Sequence, residues 1–123
     1  MNMNTKINYI ETENKKIPFA YTLNVMEAIQ TEYGSLNNWA SLIEPADGGE
    51  PNLKALLIFF KEAINEGIDI ENEKTNKQNA FLTERQTGRL ISEIGIQEAG
   101  EKLKELIIDA SDSQQNTIQE EKN

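Results

Sequence analysis

The stretch PNLKALLIFFKEAINEG, Pro51 to Gly67, restricts the fold of this chain more than any other, because it carries five large apolar residues in a row, Leu56 to Phe60. At about 100° per residue, Leu53, Leu56, Leu57, Phe60 and Ile64 form a helical core stripe, and Ala55, Phe59 and Ala63 widen it past half the circumference. Lys54, Lys61, Glu62 and Asn65 leave a narrow polar strip, with Ile58 inside it. A helix this apolar is expected to be central and covered on several sides. Asn52 is placed to cap its start and Gly67 to stop it. The other use of the same residues is a partly exposed patch around Ile58 and Phe59 that meets another protein.

The flanking sequence supplies what could cover such a helix. Residues 6–21 predict a β-hairpin: Ile7, Tyr9 and Ile10 stand in one strand, Ile17, Phe19 and Tyr21 in the other, and Pro18 marks an edge. Its polar beginning, Met1 to Lys16, is expected to be partly mobile. Thr22 then caps a helix over residues 23–33, with Leu23, Met26, Ile29 and Tyr33 as its stripe and Gly34 as its stop. Ser35 caps a second helix over 36–43, striped by Leu36, Trp39, Ala40 and Ile43 and ended by Pro45. The opening stretch gives a third helix over 53–65.

Asp69 to Ala80 is polar and predicts a linker or long loop. Asp69, Glu71 and Glu73 imitate the start of a calcium-binding loop, but Lys74 stands where that loop needs its glycine, so calcium is not expected. Thr83 and Gln86 have capping-box spacing ahead of a helix over 84–94, whose face is Thr87, Leu90, Ile91 and Ile94. A last helix over 97–110 aligns Ala99, Leu103, Leu106, Ile107 and Ala110. Residues 111–123 are polar apart from Ile118 and predict a disordered tail. The expected fold is mostly helical α+β: an N-terminal hairpin followed by about five helices in one small domain, residues 1–110.

Composition narrows the chemistry. The chain contains neither His nor Cys, which removes the commonest general base, thiolate nucleophiles, disulfides and soft metal ligands. Gly48-Gly49 has no following Lys-Ser/Thr, so no phosphate loop is formed. The paired acids Glu62 with Glu66, and Glu101 with Glu105, have the spacing of solvated helix faces. No catalytic residue, metal or cofactor is therefore expected. With 21 acidic against 12 basic residues and a net charge of -9, the chain is poorly suited to a phosphate backbone or an anionic membrane. The absence of a signal-like or membrane-length apolar run makes a cytoplasmic protein with protein partners the expectation.

The order of these pieces carries a resemblance. IPFAYTLNVMEAIQTEYGSLNNWASLIE, then PNLKALLIFFKEAINEGIDIENE, then FLTERQTGRLISEIGIQEAGEKLKELI, together covering about Ile17 to Ile108, resemble the tail assembly chaperones of long-tailed, siphovirus-type bacteriophages and prophages of Gram-positive hosts. The likeness rests on the helix ending in Tyr33-Gly34-Ser35-Leu36, on the apolar helix ending in Asn65-Glu66-Gly67-Ile68-Asp69, and on the threonine-capped helix with Gly88 and Leu90. It implies a non-enzymatic protein that binds the tape measure protein in the host bacterial cytoplasm, keeps it soluble, helps recruit tail tube subunits, and is absent from the mature virion.

A chaperone of that kind needs apolar side chains able to cover amphipathic segments of its client and an acidic exterior that keeps the complex soluble. Helical geometry nominates Ile58 and Phe59, with Trp39 from the neighbouring short helix, as the border of such a patch. Arg85 and Arg89, one turn apart, are the candidate polar rim. The same wide stripe suits self-association. Two other classes fit the composition: an acidic phage regulator that binds a host protein as a nucleic-acid mimic or inhibitor, and a structural tail or connector component.

Overall fold

The computed structural model describes residues 6–106, and its central element is a helix of 23 residues, α3 (Leu53–Thr75). Before it come β1 (Asn8–Glu11), β2 (Lys16–Phe19), α1 (Leu23–Tyr33) and α2 (Leu36–Ile43); after it come α4 (Glu84–Ile94) and a further helix, α5, described over residues 96–106. The expected hairpin and five helices are thus present, in the expected order. β1 and β2 pair antiparallel, with Ile10 opposite Ile17 and Tyr9 opposite Pro18. β2, α1, α2 and α4 all pack on α3, as its apolar circumference requires. The tail over 111–123, and the end of the last helix, lie outside the described residues.

The caps follow the sequence closely. Asn52 accepts from the Ala55 amide at 2.9 Å, Ser35 from the Asn38 amide at 3.0 Å, and Thr83 with Gln86 closes a reciprocal capping box. Thr22 stands at the N-cap position of α1 but, against expectation, makes no side-chain capping bond: its hydroxyl donates to Glu66 of α3, which also accepts from Asn24 at 2.9 Å. α1 has no acidic residue in its own first turn, so Glu66 brings a carboxylate to that positive helix end from another element.

α3 departs from expectation at its C-terminal end. It does not stop at Gly67; residues 69–75, expected as loop, are helical, and the stop is Asn76, which takes the left-handed conformation at φ 56°. Gly67 serves a different purpose. A Cβ there would lie 2.6 Å from both N and Cα of Phe19 and 2.7 Å from the carbonyl carbon of Pro18. The end of β2 rests directly on the helix backbone. One turn earlier, the Ala63 carbonyl accepts from the Ala20 amide at 2.9 Å, in addition to its place in the helix. Because this bond can open only if β2 leaves α3, the Ala20 amide is expected to exchange as slowly as the core helix amides, although it lies outside both regular elements. Native-state hydrogen exchange checks this.

The apolar run lies mostly in the interior, with Leu57 and Ile58 half-buried at the edge of the core. Phe59 and Ile64 are fully buried, and Leu56 and Phe60 nearly so. Trp39 stacks on Phe59 with ring centroids 5.0 Å apart and donates its indole N–H to the Ala55 carbonyl at 3.1 Å. Tyr21 leans on the same ring, and Phe60 meets it edge-on at 5.8 Å. The hairpin contributes Ile10, Ile17 and Phe19 to this cluster. β1 is therefore pinned rather than mobile over Asn8–Glu11, and Tyr9 adds a hydrogen bond to Glu71 at 2.9 Å.

The predicted α1 stripe is rotated. Val25 and Ile29 face the core, whereas Leu23 is 77% exposed; Leu53, at the start of α3, is also outside at 59%. Both are first residues of their helices. Ala40 likewise faces solvent on α2, leaving Trp39 as that helix's buried residue.

Candidate functional site

α3 carries two asparagines seven residues apart, and together they fix the segment that leads into α4. Asn72 exchanges two hydrogen bonds with the backbone of Asn79, at 3.0 and 3.1 Å. Asn65 does the same with Leu82, at 3.0 and 2.8 Å. The spacing is consistent: seven helical residues rise about 10.5 Å and three extended ones span about 10 Å. Residues 76–83 therefore run back along α3 as a strap. Asn65→Ala strands the half-buried N–H and C=O of Leu82 and is expected to cost about 2 kcal/mol. Chemical denaturation of the variant measures it.

Between this strap, the hairpin, the second half of α3 and α4 lies a cleft of about 560 Å3. Ile17, Pro18, Ile68, Leu82 and Leu90 give it an apolar floor. Lys15, Lys16 and Arg89 stand at its rim with Gln86, Glu71 and Glu93. Lys16 also lies over the Tyr9 ring, 4.6 Å from its centroid. The Tyr9 phenol is held above its ordinary pKa first by its hydrogen bond to Glu71, with lesser contributions from desolvation and the Glu71 charge. At neutral pH that O–H is a donor, and Glu71 is engaged by it.

The residues nominated from the sequence do not converge on one surface. Trp39 and Phe59 are corrected outright: at 3% and 0% exposure they are core, stacked on one another, and cannot border an exposed patch. Ile58 is half-buried and packs on the core cluster from outside. Arg85 and Arg89 are both exposed on α4, and Arg89 lines the cleft. Local sequence does not point to Lys15 or Lys16, whereas the seven-residue spacing of Asn65 and Asn72 is visible in it.

The acids read as solvated pairs divide. Glu66 is taken up by Thr22 and Asn24, and the calcium-like Asp69, Glu71 and Glu73 lie on a helix, where no loop can wrap an ion. Among the described residues there is no group of three or more acidic side chains arranged to hold a metal ion, and no helix long and apolar enough to cross a membrane. Glu84 pairs with Lys54 at 2.5 Å, a bond that lowers the carboxyl pKa and raises that of the amine. That pair supports folding above the ordinary carboxylate range and its contribution is lost as pH falls through the lowered Glu84 pKa, but it is exposed and screened. Comparison with protein-family models, curated proteins and solved structures finds no match.

Proposed function

We propose that this chain is a non-enzymatic tail assembly chaperone of a long-tailed bacteriophage or prophage. It binds the tape measure protein in the host cytoplasm, keeps it soluble, helps bring tail tube subunits to it, and is released before the virion matures. The observation that supports this reading is the cleft beside α3 and α4: an apolar floor rimmed by charged groups, on a chain of net charge -9. Such a cleft takes a few apolar side chains of an amphipathic segment while the acidic exterior keeps the pair in solution. The sequence resemblance over Ile17 to Ile108 names the client.

With Trp39 and Phe59 occupied in the core, the client is held by the cleft and the α4 arginines rather than by the aromatic run. Affinity purification from infected cells, with the partner identified by mass, is expected to recover the tape measure protein together with this chain, and purified virions are expected to lack the chain. Stable presence in virions would instead assign it to the tail structure.

A further inference from the structure

The last part of α3 is helical against its own chemistry. As far as Ile68 the helix sets buried side chains on the core turn after turn, and beyond it none of residues 69–75 is buried. That piece, about two turns long, is too short to persist as a helix by itself. Asp69, Asn72 and Thr75 are poor helix formers, and Asp69, Glu71 and Glu73 outweigh Lys74 near the negative end of the helix dipole.

Tertiary hydrogen bonds hold it instead. Tyr9 of β1 donates to Glu71 at 2.9 Å, and the Asn72 side chain exchanges its two bonds with the Asn79 backbone. The Asn72 carbonyl accepts the amides of Asn76 and Lys77, where the chain turns into the strap. Helix end and strap are therefore tied through one residue. Unwinding at Asn72 releases Asn79, and loss of the strap strips Asn72 of its partner.

We infer that residues 69–82 open and close as one unit, a flap hinged after the buried Ile68 and before the Thr83–Gln86 capping box, while the rest of the fold stays closed. Glu71, Asn79 and Leu82 of the flap are walls of the cleft, whereas Ile17, Pro18, Ile68 and Leu90 belong to elements that stay. Opening removes that wall and leaves the apolar floor in a wider hollow. The cleft thus has a narrow and a wide form, whatever it takes, and the inference does not rest on the chaperone reading.

Native-state hydrogen exchange of the full chain in sub-denaturing urea tests this. The amides of Asn76, Lys77, Asn79 and Leu82 are expected to exchange through one common opening of small urea dependence, at least about a hundredfold faster than those of Phe60 and Ile64 once intrinsic rates are divided out. Asn72→Ala is expected to speed exchange about tenfold at Leu82 as well as at Asn79, although Leu82 bonds to Asn65. Tyr9→Phe, which removes the bond to Glu71 and keeps the ring, is expected to act in the same direction across the same residues.

Ile64→Val weakens the core equally whether the flap is open or closed. It is expected to speed the core amides about fivefold and leave the flap amides unchanged. An Asn72→Ala effect confined to Asn76, Lys77 and Asn79 would mean piecemeal fraying. Flap amides as slow as the core, and speeded with it by Ile64→Val, would mean that these residues open only when the whole chain unfolds. Either result overturns the flap.

Discussion

Gly67→Ala is expected to cost about 3 kcal/mol or more, a large share of the roughly 5–15 kcal/mol available to a domain of this size. The added methyl would sit 2.6 Å from backbone atoms of Phe19, inside van der Waals contact, and backbone atoms cannot rotate away as a side chain would. Either β2 lifts off α3, breaking the 2.9 Å bond from Ala20 to Ala63 and uncovering Phe19, or the helix bends. The gain in helix propensity from replacing glycine, about 1 kcal/mol, is too small to offset this. Gly88→Ala is the matched control: its methyl would meet the Leu57 Cδ1 at 3.7 Å, ordinary contact, so that variant is expected to be as stable as the native chain or slightly more so. Urea denaturation followed by helical circular dichroism separates the two. Equal midpoints for Gly67→Ala and the native chain would refute the close approach.

Phe59→Ala is the second large effect, expected at about 3–5 kcal/mol. Phe59 is fully buried and is the ring on which Trp39, Tyr21 and Phe60 converge, so truncation removes its own contacts and leaves three neighbours facing a void. Trp39 is the chain's single tryptophan, so its fluorescence reports the loss directly. Leu23→Ser and Leu53→Ser, at exposed positions, are expected to change stability by less than about 0.5 kcal/mol. A Phe59 variant that keeps native stability while losing a partner would return the apolar run to the surface.

Much of this fold was legible because local chemistry and tertiary packing agree in it. The wide stripe on Leu53 to Ile64 required a central helix, and the Thr83–Gln86 capping box is formed. A glycine after an apolar run has two physical uses, ending a helix or admitting a neighbour's backbone, and only the approach of β2 shows that Gly67 serves the second. The row Leu56, Phe60, Ile64, Ile68 continues through it at four-residue spacing, and that continuity was the available signal. The rotated face of α1 has a similar cause: Leu23 and Val25 are both apolar, and the choice between them is made by the partner surface.

The site was less legible than the fold. Helical geometry says that Phe59 lies beside the polar strip of α3, but not that α2 and Tyr21 cover that side. Lys15 and Lys16 sit in a turn and a strand, Arg89 on a helix 73 positions beyond Lys16, and nothing in their local sequence announces that the fold brings them to one rim. The strap that completes the cleft depends on residues 69–75 being helical, which places Asn72 opposite Asn79.

The central claim is that this chain keeps a long, aggregation-prone partner soluble through a surface separate from its aromatic core. It is tested most directly by co-expressing the chain with the tape measure protein and measuring how much of the latter stays in the soluble fraction and co-purifies. The account predicts that the partner is soluble and bound with the native chain, and insoluble without it. A partner that stays insoluble and unbound beside a folded, abundant chain would contradict the account.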